Sequence, residues 1–179
     1  MPGMRFTASA ARSLLAGLVL ALSAATALPQ TTSLYTVEII VFRNAGDEGA
    51  LPPNAVLPTV LDDGIEVTPA TPARLNTAAR KLESSGDFKV LARAAWTQGP
   101  TVYNSRIGVS AAQLGLANGI AGKICLEKGT YLNLRLDLTV EDGGRRYRLN
   151  EVRPVKPNEI NYFDHPAVGV LAIISAAGN

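Results

Sequence analysis

The chain has 179 residues and a mass of 18.8 kDa, with 17 basic and 15 acidic residues, one histidine and one cysteine. That length permits one domain with a proper core rather than two. A single Cys with a single His excludes an intramolecular disulfide, an all-Cys metal site and a His-rich metal cluster. The first 27 residues carry Arg5 and Arg12 and no acid, and without them the chain balances at 15 basic against 15 acidic residues. The basic excess needed to hold a phosphate backbone is therefore gone, and nucleic acid is not an expected partner.

Arg5 and Arg12 form a positive n-region, residues 14–22 (LLAGLVLAL) a short apolar h-region, and Ala25-Thr26-Ala27 a small-x-small cleavage pattern. The pattern predicts a signal peptide over residues 1–27, cleavage near Ala27, and a single mature domain over residues 28–179. The apolar run is shorter than the ~20 residues a spanning helix needs. The apolar stretch 167–177 is also too short, so the mature chain is expected in the periplasm without a transmembrane segment. In that oxidising compartment a lone Cys125 is expected to be sheltered.

Residues 34–43 (LYTVEIIVFR) place Tyr35, Val37, Ile39 and Val41 on one face and Glu38 on the other, which predicts a strand with at least one buried face. Residues 44–72 hold Pro52, Pro53, Pro58, Pro69 and Pro72 and read as a long surface loop. A helix follows: Thr71 is placed to cap it, Pro72 suits its first turn, and Leu75, Ala78, Ala79 and Leu82 form an apolar stripe as far as Ser85. Gly86 ends it. Residues 88–96 alternate loosely as another strand carrying Trp96, which reads either as a platform for a sugar ring or as core.

The clearest pattern lies in residues 119–153. Leu132, Leu134, Leu136, Leu138 and Val140 alternate with Tyr131, Asn133, Arg135, Asp137 and Thr139, the signature of a half-buried strand. A two-residue turn at Gly143-Gly144 sets Val140 opposite Tyr147 and Leu138 opposite Leu149, with Thr139 opposite Arg148 and Asp137 opposite Asn150. Upstream, a three-residue loop at 128–130 sets Leu126 opposite Leu132, Ile124 opposite Leu134 and Ile120 opposite Leu138. The expected result is an antiparallel meander with one apolar and one charged face. The charged face carries Lys123, Tyr131, Asn133, Arg135, Asp137, Arg146, Arg148 and Asn150. It reads either as a surface for an acidic, hydrogen-bond-rich polymer, with Asn133, Arg135 and Arg148 as candidate ligand contacts, or as the solvated side of an ordinary sheet.

Catalytic patterns are scarce. There is no Gly-x-Ser-x-Gly elbow, and Asp164 and His165 are adjacent, so a strand would point them to opposite faces. Residues 115–123 resemble a phosphate loop, but the glycine spacing fails and Ile124 stands where a Ser or Thr is needed. Cys125 has no His near it in sequence. A glycosidase-like pair of carboxylates stays open as a third reading. The chain reads as a non-enzyme without cofactor or metal.

Residues 153–174 (RPVKPNEINYFDHPAVGVLAII) carry a Tyr-Phe-Asp-His-Pro run followed by Val168-Gly169-Val170. That run, the opening Val37-Glu38-Ile39-Ile40-Val41-Phe42, and the order of Trp96, the Tyr131-Leu132 strand and the Tyr147 strand resemble the CsiV family of periplasmic peptidoglycan-binding proteins. The resemblance spans residues 34–174, although Asn161 stands where members commonly carry a His. It implies non-catalytic peptidoglycan binding in support of cell-wall synthesis and cell shape, through an outer-membrane lipoprotein activator of a penicillin-binding protein. It adds Tyr162, Asp164 and His165 to the candidate ligand contacts. Without it, Asp164-His165-Pro166 reads as a rigid turn between strands, with Asp164 capping backbone donors. The alternative function is a periplasmic protein–protein adaptor without glycan affinity. The expected fold is α+β: an antiparallel sheet of five or six strands with one helix packed on its apolar face.

Overall fold

The near-continuous apolar run from Val37 to Phe42 forms the middle of β1 (Tyr35–Asn44), a strand buried on both faces. The computed structural model describes residues 33–178 apart from 47, 61, 117 and 118, so the expected signal peptide lies outside the described residues. Beyond β1 the elements are β2 (Thr68–Pro69), α1 (Asn76–Ser85), β3 (Phe88–Gln98), β4 (Thr101–Val102), β5 (Val109–Ser110), β6 (Ile120–Lys128), β7 (Leu132–Asp142), β8 (Arg145–Pro154), β9 (Ile160–Asp164) and β10 (Val168–Ala176). The first sheet has five antiparallel strands in the order β2-β3-β1-β10-β9. The second runs β4-β6-β7-β8, with β5 also paired to β6. Its one parallel pairing is the short contact between β4 and β6.

The fold is α+β, with the expected helix on an antiparallel five-stranded sheet and the expected meander forming the second sheet. Val37, Ile39 and Val41 of β1 and Trp96 of β3 meet Ile124, Leu126, Leu134, Leu136 and Leu138 of the meander in one core between the two sheets. The other side of β1 presents Ile40 and Phe42 to Leu75, Ala79 and Leu82 of the helical segment. The loose alternation of β3 has a local cause. The register slips between Val41↔Ala92 and Phe42↔Val90, and the bulge leaves Leu91 without an opposite residue. Trp96 is 1% exposed and donates its indole N–H to Gln98 Oε1 at 2.6 Å, so it is core and not a platform.

Helix α1 begins at Asn76, later than the Thr71 cap predicts, and has no side-chain cap of its own. Glu38 on β1 supplies the acceptors instead. Its carboxylate takes the N–H groups of Ala73 (3.1 Å), Arg74 (2.8 Å) and Leu75 (3.0 Å), so the turn that leads into the helix finds its acceptors on the strand beneath. Gly86 closes the helix in the left-handed conformation, φ 75°, as expected.

In the meander, the β7–β8 register is the expected one: Leu138↔Leu149, Val140↔Tyr147, Thr139↔Arg148 and Asp137↔Asn150. The β6–β7 register differs by two residues, with Ile124↔Leu136, Leu126↔Leu134 and Ile120↔Val140. An even slip keeps every side chain on its face, so apolar alternation cannot detect it. Gly122 fixes the choice. It faces Leu138 with φ 124°, and a Cβ there would lie 2.0 Å from the Asp137 carbonyl oxygen, so only glycine fits this pairing.

The proline-rich loop does not trail into solvent. Leu51 N–H donates to the Arg146 carbonyl at 2.7 Å, and Arg146 in turn donates to the Pro53 carbonyl. Farther on, Asp63 accepts from Lys123 Nζ at 2.7 Å and from Gly108 N–H at 3.0 Å before Thr68 and Pro69 pair with β3. The loop thus crosses the outer face of the second sheet from β8 to β6.

Candidate functional site

Alternation along β6, β7 and β8 puts Lys123, Cys125 and Glu127, then Asn133, Arg135 and Asp137, then Arg146, Arg148 and Asn150 on the outer face of the second sheet. Much of their charge is spent internally. Arg148 grips Asp137 through two hydrogen bonds of 3.0 Å, which raises the guanidinium's affinity for its proton. Lys123 pairs with Asp63, and that hydrogen bond holds the Asp63 carboxyl below its usual range despite partial burial. Arg135 binds Glu127 through Nε and Nη2, each at 3.3 Å.

Glu127 is the centre of this arrangement. Its residue is 0% exposed. Burial opposes its ionisation, but the Arg135 hydrogen bond and the N–H groups of Asn104 and Arg106, both at 3.0 Å, outweigh it and leave the carboxyl below its usual range. Those two amides belong to residues with φ of 64° and 56°, a left-handed conformation that costs a non-glycine residue about 1–3 kcal/mol. The buried carboxylate therefore holds a strained loop, and Arg135 adds a hydrogen bond to Asn104 Oδ1 at 3.1 Å. Tyr103 and Arg106 are presented on either side of Asn104.

The loop separates two grooves. One, of about 200 Å³, lies beneath Pro58, Thr59 and Val60 and is lined by Arg106, Lys123, Cys125, Arg135, Asp137 and Asn150. Burial first, and then the neighbouring Glu127, pushes the Cys125 thiol up to about 11. It stays protonated at neutral pH and makes a poor nucleophile. The other groove, of about 310 Å³, is lined by Tyr103, Thr130, Tyr131, Asn133, Val152, Arg153 and Pro154. Asn133 and Arg135 are same-face neighbours on β7, so the two grooves adjoin.

Of the six candidate contacts, Asn133, Arg135 and Arg148 share this face. Asn133 is mostly buried and donates to the Tyr131 carbonyl at 2.9 Å. Tyr162, Asp164 and His165 lie elsewhere, on β9 of the first sheet and the turn after it. Tyr162 stacks on Phe42 and donates its hydroxyl to Asp164 at 2.6 Å. Burial and that bond together raise its phenol to about 12. The 164–168 segment is the turn between strands that the bare residues suggest, although the capping differs. Asp164 serves Tyr162, while His165 Nδ1 accepts the Ala167 N–H at 3.2 Å. Burial lowers the His165 pKa, with Arg43 contributing. Its ring sits 6.2 Å from that of Tyr147, which lies beneath the Arg43 guanidinium.

Tyr103, Arg106 and Arg153 escape the sequence reading. Tyr103 follows a two-residue strand whose pairing is parallel and distant, and no local alternation announces it. The one available signal is Gly129: a Cβ there would meet Tyr103 Cβ at 3.0 Å, which marks where the two loops press together.

No group of three potential metal ligands is found among the described residues, and no helix among them is long and apolar enough to cross a membrane. A β-sandwich with a helix on one outer face and a grooved polar face on the other defines a binding module in outline. The chain matches the CsiV family, described as "Peptidoglycan-binding protein, CsiV", over residues 45–176, and it belongs to that family. No curated protein and no solved structure matches it.

Proposed function

We propose that residues 1–27 direct export, that cleavage follows Ala27, and that residues 28–179 act in the periplasm as a single domain binding peptidoglycan without catalysing its turnover. In this reading the protein supports cell-wall synthesis and cell shape, with an outer-membrane lipoprotein activator of a penicillin-binding protein as its protein partner. Family membership supports the ligand. The observation that carries the site is the outer face of the second sheet, where exposed tyrosines, an amide and guanidinium groups line adjoining grooves. A docking surface for another protein would instead present a contiguous apolar patch.

The carboxylates near the grooves support binding rather than hydrolysis. Glu127 is buried under three partners, and Glu151 is held by Arg153 and the Asp164 N–H. Neither is placed as a free general acid. In this proposal Asn133 contacts ligand and Arg106 meets stem-peptide carboxylates. Arg135 and Arg148 hold the face in shape through Glu127 and Asp137, while Tyr162, Asp164 and His165 secure the far turn.

The test is co-sedimentation of purified residues 28–179 with intact sacculi, beside N-terminal sequencing of the protein recovered from a periplasmic fraction. Pelleting that saturates with sacculi is expected, together with a sequence starting at Leu28. Protein that stays in the supernatant across a salt series would end the binding proposal, and an uncleaved chain in the membrane pellet would end the export proposal.

A further inference from the structure

We infer that the groove between Tyr103 and Tyr131 is a saccharide site, one that receives the glycan strand of peptidoglycan rather than its stem peptide. The inference rests on the peptidoglycan-binding reading and narrows it to one part of the polymer. Tyr103 is 50% and Tyr131 67% exposed. A large ring left in water forgoes the stabilisation that burial would bring, and two of them border one groove.

These rings stand on loops that are fixed to each other. Tyr103 N–H donates to the Lys128 carbonyl at 3.1 Å, and Gly129 lies against the Tyr103 side chain. Gly129 N–H also closes on the Tyr131 carbonyl at 3.0 Å. The strained residues Asn104 and Arg106, clamped by Glu127, set the direction in which the chain leaves Tyr103. A platform held this firmly loses little conformational entropy when a ligand lands on it.

The lining chemistry suits a sugar. Val152 and Pro154 add apolar surface for the C–H faces of a pyranose, beside the two phenol rings. Asn133 commits its Nδ2 to Tyr131, and its Oδ1 makes no hydrogen bond among the described residues, so it is available to a hydroxyl or an acetamido N–H. Arg153 spends Nε and one Nη2 bond on Glu151 and rests on the Phe163 ring, which leaves further N–H groups for sugar oxygens. Among the described residues no carboxylate lines this groove, and the one cation that does, Arg153, is already paired. A stem peptide rich in carboxylates would match the neighbouring groove better than this one, because Arg106 forms no ion pair there among the described residues, although Lys123 and Arg135 are held by Asp63 and Glu127. At about 310 Å³ the space is at the low end of small-ligand pockets, roughly 300–1,000 Å³. That is room for one or two sugar rings of a chain passing over it.

The experiment uses three probes with purified residues 28–179: intact sacculi, glycan strands stripped of their stem peptides by an amidase, and free stem peptide. Wild type is expected to bind sacculi and peptide-free strands. Tyr103→Ala and Tyr131→Ala should each weaken binding to the strands about fivefold or more. Tyr103→Phe and Tyr131→Phe should stay within about twofold, because stacking needs the ring and not the hydroxyl. Circular dichroism checks folding, and Tyr131→Gln, which keeps a long side chain without a ring, replaces any alanine variant that unfolds. If wild type pellets with sacculi but ignores peptide-free strands, or if folded ring-less variants bind them as wild type does, the saccharide site is refuted while peptidoglycan binding stands. If wild type fails to pellet with sacculi, both fall.

Discussion

Replacing Glu127 with Gln removes one charge and almost no volume, which makes it a sharp test of the anchored loop. In the wild type one oxygen accepts the Asn104 N–H and the other the Arg106 N–H, each at 3.0 Å, and both lie 3.3 Å from Arg135 nitrogens. In the variant the amide oxygen keeps one backbone donor, and the amide NH₂ turns its own hydrogens toward the other. A charge-assisted hydrogen bond is worth about 1.5–3 kcal/mol, and stranding a buried donor costs about 1–3 kcal/mol; these overlap, so a loss of about 2–4 kcal/mol is expected. At a slope near 2 kcal/mol per M urea, the unfolding midpoint moves by roughly 1–2 M. The pH dependence gives an independent check. Because the folded carboxyl lies below its ordinary value of 4.5, its contribution is complete above that value and is lost as pH falls through the lowered one. The variant has no such carboxyl, so the stability gap between the two proteins should be widest near pH 7 and shrink in acid. Urea melts at pH 7 and at about pH 3 measure both. A gap below about 0.5 kcal/mol at neutral pH, or one that does not change with pH, would refute the account of Glu127 as the ionised anchor of the loop.

Leu136→Ala should cost about 2–5 kcal/mol in urea melts, since the side chain is 0% exposed in the core between the sheets, whereas Arg148→Ala should cost at most about 1 kcal/mol, its pair with Asp137 being about one-third exposed on each side. The reverse order would invert the two faces. Gly122→Ala should lower the melting temperature by on the order of 10 °C, because the added methyl meets the Asp137 carbonyl at 2.0 Å in a backbone with φ 124°. An unchanged melting temperature would show that the β6–β7 register is not the one described.

The meander was legible because its order is local. A strict period of two and a Gly-Gly turn leave β7–β8 one register, since a single-residue slip would bury Arg145. A slip of two carries no such penalty, and only the steric demand at Gly122 separates the β6–β7 alternatives. What escaped was organised by carboxylates whose partners alternation does not name: Glu38 takes amides 35 to 37 residues away, and Glu127 clamps amides 21 and 23 residues back. Arg135 looks like a free cation among alternating charges until the fold places a fully buried Glu127 beneath it. Its removal therefore carries the cost of an uncompensated buried charge and not that of a surface contact. The tyrosine groove escaped for a related reason. Tyr103 and Tyr131 come from separate loops, brought together by a two-residue parallel pairing that leaves no periodic trace.

The cap on α1 makes that helix dependent on the sheet from its first residue. Ten residues without a side-chain cap form a marginal helix in water. The three amides ahead of it find their acceptor only once β1 is in place with Glu38 turned outward. Arg93 of β3 closes the junction, bonding Asn76 and lying 3.8 Å from Glu38, so two neighbouring strands must be paired before the helix has a defined beginning. The beginning of the helix is thereby tied to one side chain of the sheet beneath it. The segment is thus no transplantable module, and a graft of residues 71–86 onto another scaffold would need a glutamate waiting on the strand beneath.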